Sequence, residues 1–270
     1  MIETLDLLAS IRNATKFDLS QPIVKGMPIH PAHPPFHITL NNRHGDVVRA
    51  CGHSSSNEMM VISTHAGTHI DALCHVSEHG KLNNGKEASE VQRGIHLFKE
   101  LGADTIQPIF SRGVLLDVAA YKRVAELEDA YEITEEDLVR TMESQNVQIN
   151  EGDIILIRTG WGKFWNQSSK YLGGEVGAPG PGVKAGEWLA KWKPLAVGSD
   201  TSAFEVMNHE NITLEVHMIL IARNGISIIE NMYFEELSKA KHHEFLFIAL
   251  PIPFVGATGA QVRPIAIINK

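Results

Sequence analysis

The sequence predicts an α/β fold: a single domain with a central, barrel-like mixed β-sheet flanked by helices. Three observations carry this. Apolar runs of strand length, such as residues 154–158, lie between helical patterns, such as residues 135–144. Elsewhere strand patterns follow one another directly, as at residues 245–250 and 262–268, so parallel and antiparallel pairing should mix in one curling sheet. No repeat, low-complexity tract or linker divides the 270 residues, which read as one domain over 1–270.

The elements are expected in this order. Residues 5–11 form a short, mildly apolar stretch that lacks the basic flank and cleavage site of a signal peptide. Up to about Gly113 the chain is punctuated by Pro, Gly, Asn and His, with Pro22, Pro28, Pro31, Pro34 and Pro35 close together. Loops are expected there, with short extended pieces at 23–24 and 36–40. Residues 58–63 read as a strand running into a histidine cluster, and 114–118 as a buried strand.

Thr134 followed by Asp137 resembles a capping box and starts the helix 135–144. Gly152 and Asp153 turn the chain into the strand 154–158. A helix is expected at 183–192 and a short strand at 195–197. Residues 214–223 form a helix pattern that Asn224 and Gly225 stop. Strands are expected at 226–229, 245–250 and 262–268. The Gly- and Pro-rich stretch 173–182 is the candidate mobile loop, a lid or a surface connection.

Composition excludes several classes. A net charge of -8 without a Lys/Arg stripe argues against nucleic acid. No apolar run approaches the roughly 20 residues that cross a bilayer. Two cysteines, Cys51 and Cys74, do not make a disulfide scaffold. The expectation is a cytoplasmic enzyme acting on a small molecule. The 14 histidines stand out, since imidazole is a common metal ligand and acid/base group.

Residues 65–75 read His-Ala-Gly-Thr-His-Ile-Asp-Ala-Leu-Cys-His. In an extended chain alternate residues share a face, so His65, His69 and Asp71 should point the same way. His75 joins them if the chain stays extended or turns. Gly67 suits a bulge or a close backbone approach. Two imidazoles and a carboxylate form a mixed N/O set suited to Zn²⁺, Mn²⁺ or Fe²⁺ with positions open for water. Burying such a set without a cation would demand many hydrogen-bond partners. His75 then has two roles open to it: general base, or ligand to a second metal bridged by Asp71.

His217 and Glu230 form a second group, one on the 214–223 helix pattern and one ending an apolar strand. On residues alone they read equally as ligands or as a core histidine and a salt-bridged glutamate. Other motifs fall away. Gly80 to Lys86 has phosphate-loop spacing, but Glu87 replaces Ser or Thr and no strand–loop–helix context supports it. Cys74 points away from its neighbour His75 and reads as a structural thiol. Trp161, Phe164 and Trp165 read as core.

The stretch 65–75 resembles the His-x-Gly-Thr-His-x-Asp-x-Pro-x-His signature of the cyclase-like metal-dependent hydrolases, the family of kynurenine formamidase and isatin hydrolase. The resemblance continues through Phe17-Asp-Leu-Ser-Gln-Pro22, Gly26-Met-Pro28, Arg112-Gly-Val-Leu-Leu-Asp117, Arg158-Thr-Gly-Trp161, Gly198-Ser-Asp-Thr201, His217, Glu230, Thr258-Gly259 and Val262-Arg263-Pro264. It departs where Leu73 replaces the signature proline. It implies a barrel-like mixed sheet in a homodimer or homotetramer, and hydrolysis of an amide, imide or lactone-type bond by metal-activated water. It also implies one or two divalent cations, Zn²⁺ or Mn²⁺, on His65, His69 and Asp71. A second cation would rest on Asp71, His75, His217 and Glu230. With a single cation, His75 and His217 would be the catalytic acid/base groups. Two rivals stand beside hydrolysis: a metal-assisted cyclase or dehydratase with the same ligands, and a metal- or ligand-binding protein without catalysis.

Overall fold

In the computed structural model, which describes residues 4–92, 94, 96–209 and 213–269, the first strands are β1 (Thr15–Asp18), β2 (His37–Asn42), β3 (Asn57–Val61) and β4 (His69–Asp71). There follow β5 (Ile109–Asp117), β6 (Glu132–Ile133), β7 (Ile154–Arg158), β8 (Gly177–Ala178), β9 (Gly180–Pro181) and β10 (Ala196–Ser199). The last are β11 (Met207–Asn208), β12 (Ser227–Glu230), β13 (Glu244–Ala249), β14 (Gly259–Gln261) and β15 (Ile265–Ile268). The helices are α1 (Thr4–Asn13), α2 (Ala88–Val91), α3 (Val118–Tyr121), α4 (Glu135–Gln145), α5 (Ser168–Tyr171), α6 (Val183–Lys191), α7 (Glu215–His217) and α8 (Glu235–Lys239). A π-helical stretch, Met218–Arg223, continues α7.

Nine strands form one sheet in the order β1-β15-β13-β5-β7-β10-β12-β4-β14. The middle strands β5, β7, β10 and β12 are parallel, and the pairings outside them are antiparallel. β14 lies at one end and β15 next to the other, yet only Val262, Arg263 and Pro264 separate them. Four residue steps reach about 14 Å. Seven strand spacings on a flat sheet would need about 34 Å. The sheet must therefore curl, and it does so as a half-barrel flanked by helices. Pro264 has no amide to donate, so the strand expected at 262–268 begins only at Ile265, and a separate strand, β14, precedes it.

The parallel strands are buried on both faces, as such strands must be when helices cover them. Leu116, Ile155, Ile157, Val197 and Ile228 point into the core beneath α4 and α6. Their neighbours Leu115, Ile154, Leu156, Ala196 and Ile229 point the other way, onto Phe234, Phe245 and Phe247. The Thr134–Asp137 capping box is formed, and Asn146 closes α4 in the left-handed region.

Three expectations need correction. Residues 23–24 form no strand: Pro22 removes a donor, and Gly26, at φ +86°, turns the chain. The helix expected from 214 starts at Glu215, with Leu214 in the left-handed region, and widens into the π form. The stretch 173–182 is no free lid, because β8 and β9 within it are buried against β11 and β6. No helix among the described residues is long and apolar enough to cross a membrane.

Candidate metal centre

β4 lies antiparallel between β12 and β14, with His69 opposite Glu230 on one side and Gln261 on the other. Ile70 turns to the opposite face and is fully buried in the core. This pleat gives His69, Asp71 and Glu230 a common side, as alternation predicts for the first two.

His65 arrives differently from the expectation. It is not on the strand; it sits in a turn closed by Ala66 N donating to Ser63 O, and Gly67 (φ +71°) then leads the chain into β4. Gln261 ties that turn by donating to the carbonyls of Ser63 and Ala66. His65 Nδ1 then lies 2.8 Å from Asp71 Oδ1. Gly259 must lack a side chain here, since a Cβ would stand 2.8 Å from His65 Cε1. A second turn, closed by His75 N donating to Ala72 O, stacks the His75 ring on His65 with centroids 4.1 Å apart. His217 reaches in from α7, with Nε2 3.2 Å from Glu230 Oε1 and 3.8 Å from Asp71 Oδ2.

Each of three imidazoles has one nitrogen tied down and the other turned to the carboxylates. His65 Nε2 pairs with Thr258 Oγ1 at 2.8 Å. His69 Nδ1 donates to Gly67 O at 2.9 Å, leaving Nε2 3.3 Å from Glu230 Oε2. His217 Nδ1 donates to Glu205 Oε1 at 2.5 Å. Such outer partners set the tautomer of a metal-bound histidine. His75 has ring contacts with His65 and His217 but no hydrogen bond of this kind among the described residues.

The chemistry of the donor set fits a divalent cation. His69 Nε2, both Asp71 oxygens and Glu230 Oε1 are buried without a hydrogen-bond partner. Orphaned acceptors cost free energy in the core, and a cation satisfies several at once. His65, His69 and Asp71 each offer a ligand atom within 4.8 Å of the others, and so do Asp71, His217 and Glu230. Asp71 belongs to both groups; His75 belongs to neither.

Electrostatics agree. Burial would raise the Asp71 carboxyl, but the facing imidazoles of His75, His65 and His69 outweigh it and hold Asp71 well below the usual carboxylate range. Burial would depress His217, but the hydrogen bond to Glu205 and the facing Glu230 carboxylate push it up to about 10. His75 goes the other way: burial drives it down to about 4, so it is neutral near pH 7.

His65, His75, His217 and Glu230 face a cavity of about 170 Å³. Imidazoles form one wall, and Ile29, Leu172, Ala203, Met207 and Leu214 line the rest. The sequence reading missed four contributors. His33 stacks on His65 with centroids 5.4 Å apart. Asn231 donates to Gly67 O and accepts from Tyr171 Oη. Glu205 holds His217, and Gln261 holds the His65 turn. His33 lay in view among the 14 histidines, whereas an isolated Glu, Asn or Gln carries no local signal. Cys74 is a structural thiol, with Sγ 3.6 Å from Ala257 O. Trp161 and Trp165 are core, and Trp161 Nε1 donates to Tyr171 O.

The profile of the family described as "Putative cyclase" matches residues 17–206. The chain belongs to this family. Isatin hydrolase of Roseibium aggregatum is 24% identical over 222 residues, covering 78% of this chain and 74% of that protein. Among solved structures, a novel cyclase superposes with a TM-score of 0.86 at 26% identity, covering 98% of this chain and 93% of that one. An isatin hydrolase bound to the product analogue thioisatinate gives 0.75 at 18% identity, over 99% and 100%. A relative of this chain is thus a hydrolase, and the chain's own histidines and carboxylates form two groups of donors able to hold a metal ion.

Proposed function

We propose that this cyclase-family protein is a metal-dependent hydrolase that cleaves an amide, imide or lactone-type bond of a small cyclic or N-acyl substrate. The observation that carries the reading is the convergence of orphaned buried atoms from His69, Asp71 and Glu230 beside an apolar pocket. His65 through Nδ1, His69 through Nε2 and Asp71 would hold one cation, Zn²⁺ or Mn²⁺. Asp71, His217 and Glu230 form a second set of donors around the same carboxylate. A divalent cation bound there lowers the pKa of a coordinated water and polarises a carbonyl.

The chain's own residues supply the rest. His75 enters the reaction neutral, with a ring lone pair to accept the water's proton, and returns that proton to the leaving nitrogen or oxygen. The walls formed by Ile29, Leu172, Met207 and Leu214 exclude bulk water and strengthen polar contacts within. Cys51 and Cys74 stand as free thiols, in keeping with a cytoplasmic enzyme.

A homo-oligomer also belongs to this reading. The β2–β3 hairpin stands apart from the main sheet and exposes Ile38, Leu40, Met59, Met60 and Val61. An isolated hairpin with such faces is marginal in water, and a second copy would cover it. Light scattering after size exclusion should give a dimer or tetramer, and Met59→Lys with Met60→Lys should shift it to monomer.

The test of the reaction is product mass across cyclic imides, lactones and N-formyl amines. Hydrolysis opens a cyclic imide or lactone to one product a water heavier than substrate, and splits an N-formyl amine into formate and amine that together weigh one water more. A metal-assisted dehydratase yields one water lighter, and a cyclisation without net hydrolysis adds none.

A further inference from the structure

Glu205 is buried, and among the described residues its carboxylate meets only α7, with no Lys or Arg paired to it. Its Oε1 accepts from His217 Nδ1 at 2.5 Å and from the His217 backbone amide at 2.9 Å. Its Oε2 accepts from the Val216 amide at 3.0 Å. One carboxylate thus grips both the imidazole and the turn of chain that bears it. α7 has no other cap, since Leu214 at its start offers no side-chain acceptor.

The surroundings fix this grip from several directions. Phe204 and Leu214, both non-glycine residues, sit in the left-handed region at φ +53° and +50°. Such conformations persist only where neighbouring structure enforces them. Gly180 on β9 lies so near that a Cβ would meet Phe204 O at 2.3 Å and Glu205 C at 2.4 Å. Gly186 on α6 is bare for a similar reason, since a Cβ would stand 2.8 Å from Val216 Cγ1. The glycine-rich stretch therefore seats Glu205 instead of serving as a lid. A π-helical turn follows at once, a feature common beside functional sites.

We propose that Glu205 is a positioning residue that commits His217 to cation binding. Holding Nδ1 as the protonated nitrogen aims Nε2 between Glu230 Oε1 and Asp71 Oδ2, so that Nε2 is the nitrogen that would give up its proton to bind an arriving cation. His217 then serves as a ligand of the Asp71–His217–Glu230 set, and proton transfer falls to His75. The inference rests on the metal-centre reading above and extends it to a residue outside both donor groups.

The test uses the full chain stripped with a chelator, then titrated with Mn²⁺ and Zn²⁺ by calorimetry. Glu205→Gln keeps size and removes the charge; Glu205→Asp keeps the charge and shortens the reach. Affinity or stoichiometry at the second donor set should fall by about 10–100-fold in Glu205→Gln, with partial recovery in Glu205→Asp. Imidazole ¹⁵N spectra should show a hydrogen-bonded Nδ1 proton on His217, weakened in Glu205→Gln, whose amide oxygen accepts without the charge, and absent from His217→Ala. If Glu205→Gln binds both metals like wild type and only melts lower, Glu205 merely caps α7 and the proposal is overturned. If wild type binds neither metal, the metal-centre reading fails; the Nδ1 signal then still decides whether Glu205 pins the ring.

Discussion

Two clusters of buried charge sit at the C-terminal ends of neighbouring strands in the same sheet, and they are finished differently. At the ends of β5 and β7, Arg158 faces Asp117 in register. Its Nη1 donates to Asp117 Oδ1 at 2.8 Å, while Nε and Nη2 both donate to Glu235 at 3.0 Å. Asp117 also accepts from the Ala120 amide and the Ser238 hydroxyl. Asp200, at the end of β10, accepts from the amides of Thr159 and Gly160. These groups are satisfied by the chain itself. At the ends of β12 and β4, Asp71 and Glu230 have histidines for neighbours and keep unpaired oxygens. The first cluster carries its own cation, the Arg158 guanidinium; the second presents donors to one from outside. Closed clusters hold a fold together, and open ones do chemistry.

The largest expected effect breaks the open cluster. Asp71→Asn removes the carboxylate common to both donor groups, so turnover and cation content should fall more than about 100-fold, beyond the 10–100-fold typical of outer partners. The cation-free variant should also melt lower than cation-free wild type, since the facing imidazoles hold Asp71 well below the usual carboxylate range and its anion stabilises the fold. Elemental analysis and calorimetry of stripped protein check both halves.

The converse is Arg158→Ala, which strands Asp117 and Glu235 in a buried setting. It should destabilise the fold by about 3–5 kcal/mol in urea denaturation, while cation content per folded chain stays unchanged. A loss of metal with unaltered stability would reverse the assignment of the two clusters.

A smaller effect is expected at α4. Asp137→Asn weakens the capping box and the Lys122 ion pair, costing about 1 kcal/mol at pH 7. Burial would raise the Asp137 carboxyl, but hydrogen bonds from Lys122, Thr134 and Tyr131 hold it below 3.8. A depressed carboxyl contributes stability above its unfolded value and loses it as pH falls through the folded value. The gap between wild type and variant should therefore be full at neutral pH and close below about pH 4. The smallest effect is chemical: burial pushes the Cys74 thiol up to about 12. Alkylation at pH 8 should add one group to the native chain, on exposed Cys51, and two after denaturation, as read by mass.

The regular half of the molecule was legible because its signals are local. The apolar run 154–158 and the Thr134–Asp137 box declare themselves within a few residues. Alternation placed His69 and Asp71 correctly, since β4 is extended there. It gave the wrong route for His65, because a turn ahead of Gly67 supplies the same meeting by another path. The closure of the sheet was hidden in three residues, 262–264, whose meaning depends on partners far away in sequence. Glu205 was invisible for the same reason. Nothing in its neighbours says that it meets an imidazole twelve residues on.

The central claim is that the histidine–carboxylate cluster around Asp71 holds a cation. The most direct test is metal per chain in purified wild type and in His69→Ala, each also measured after incubation with Zn²⁺ or Mn²⁺. The account predicts near-stoichiometric metal in wild type and its loss in the variant, with both proteins folded. Equal metal content in the two, or none in either after incubation, would contradict it.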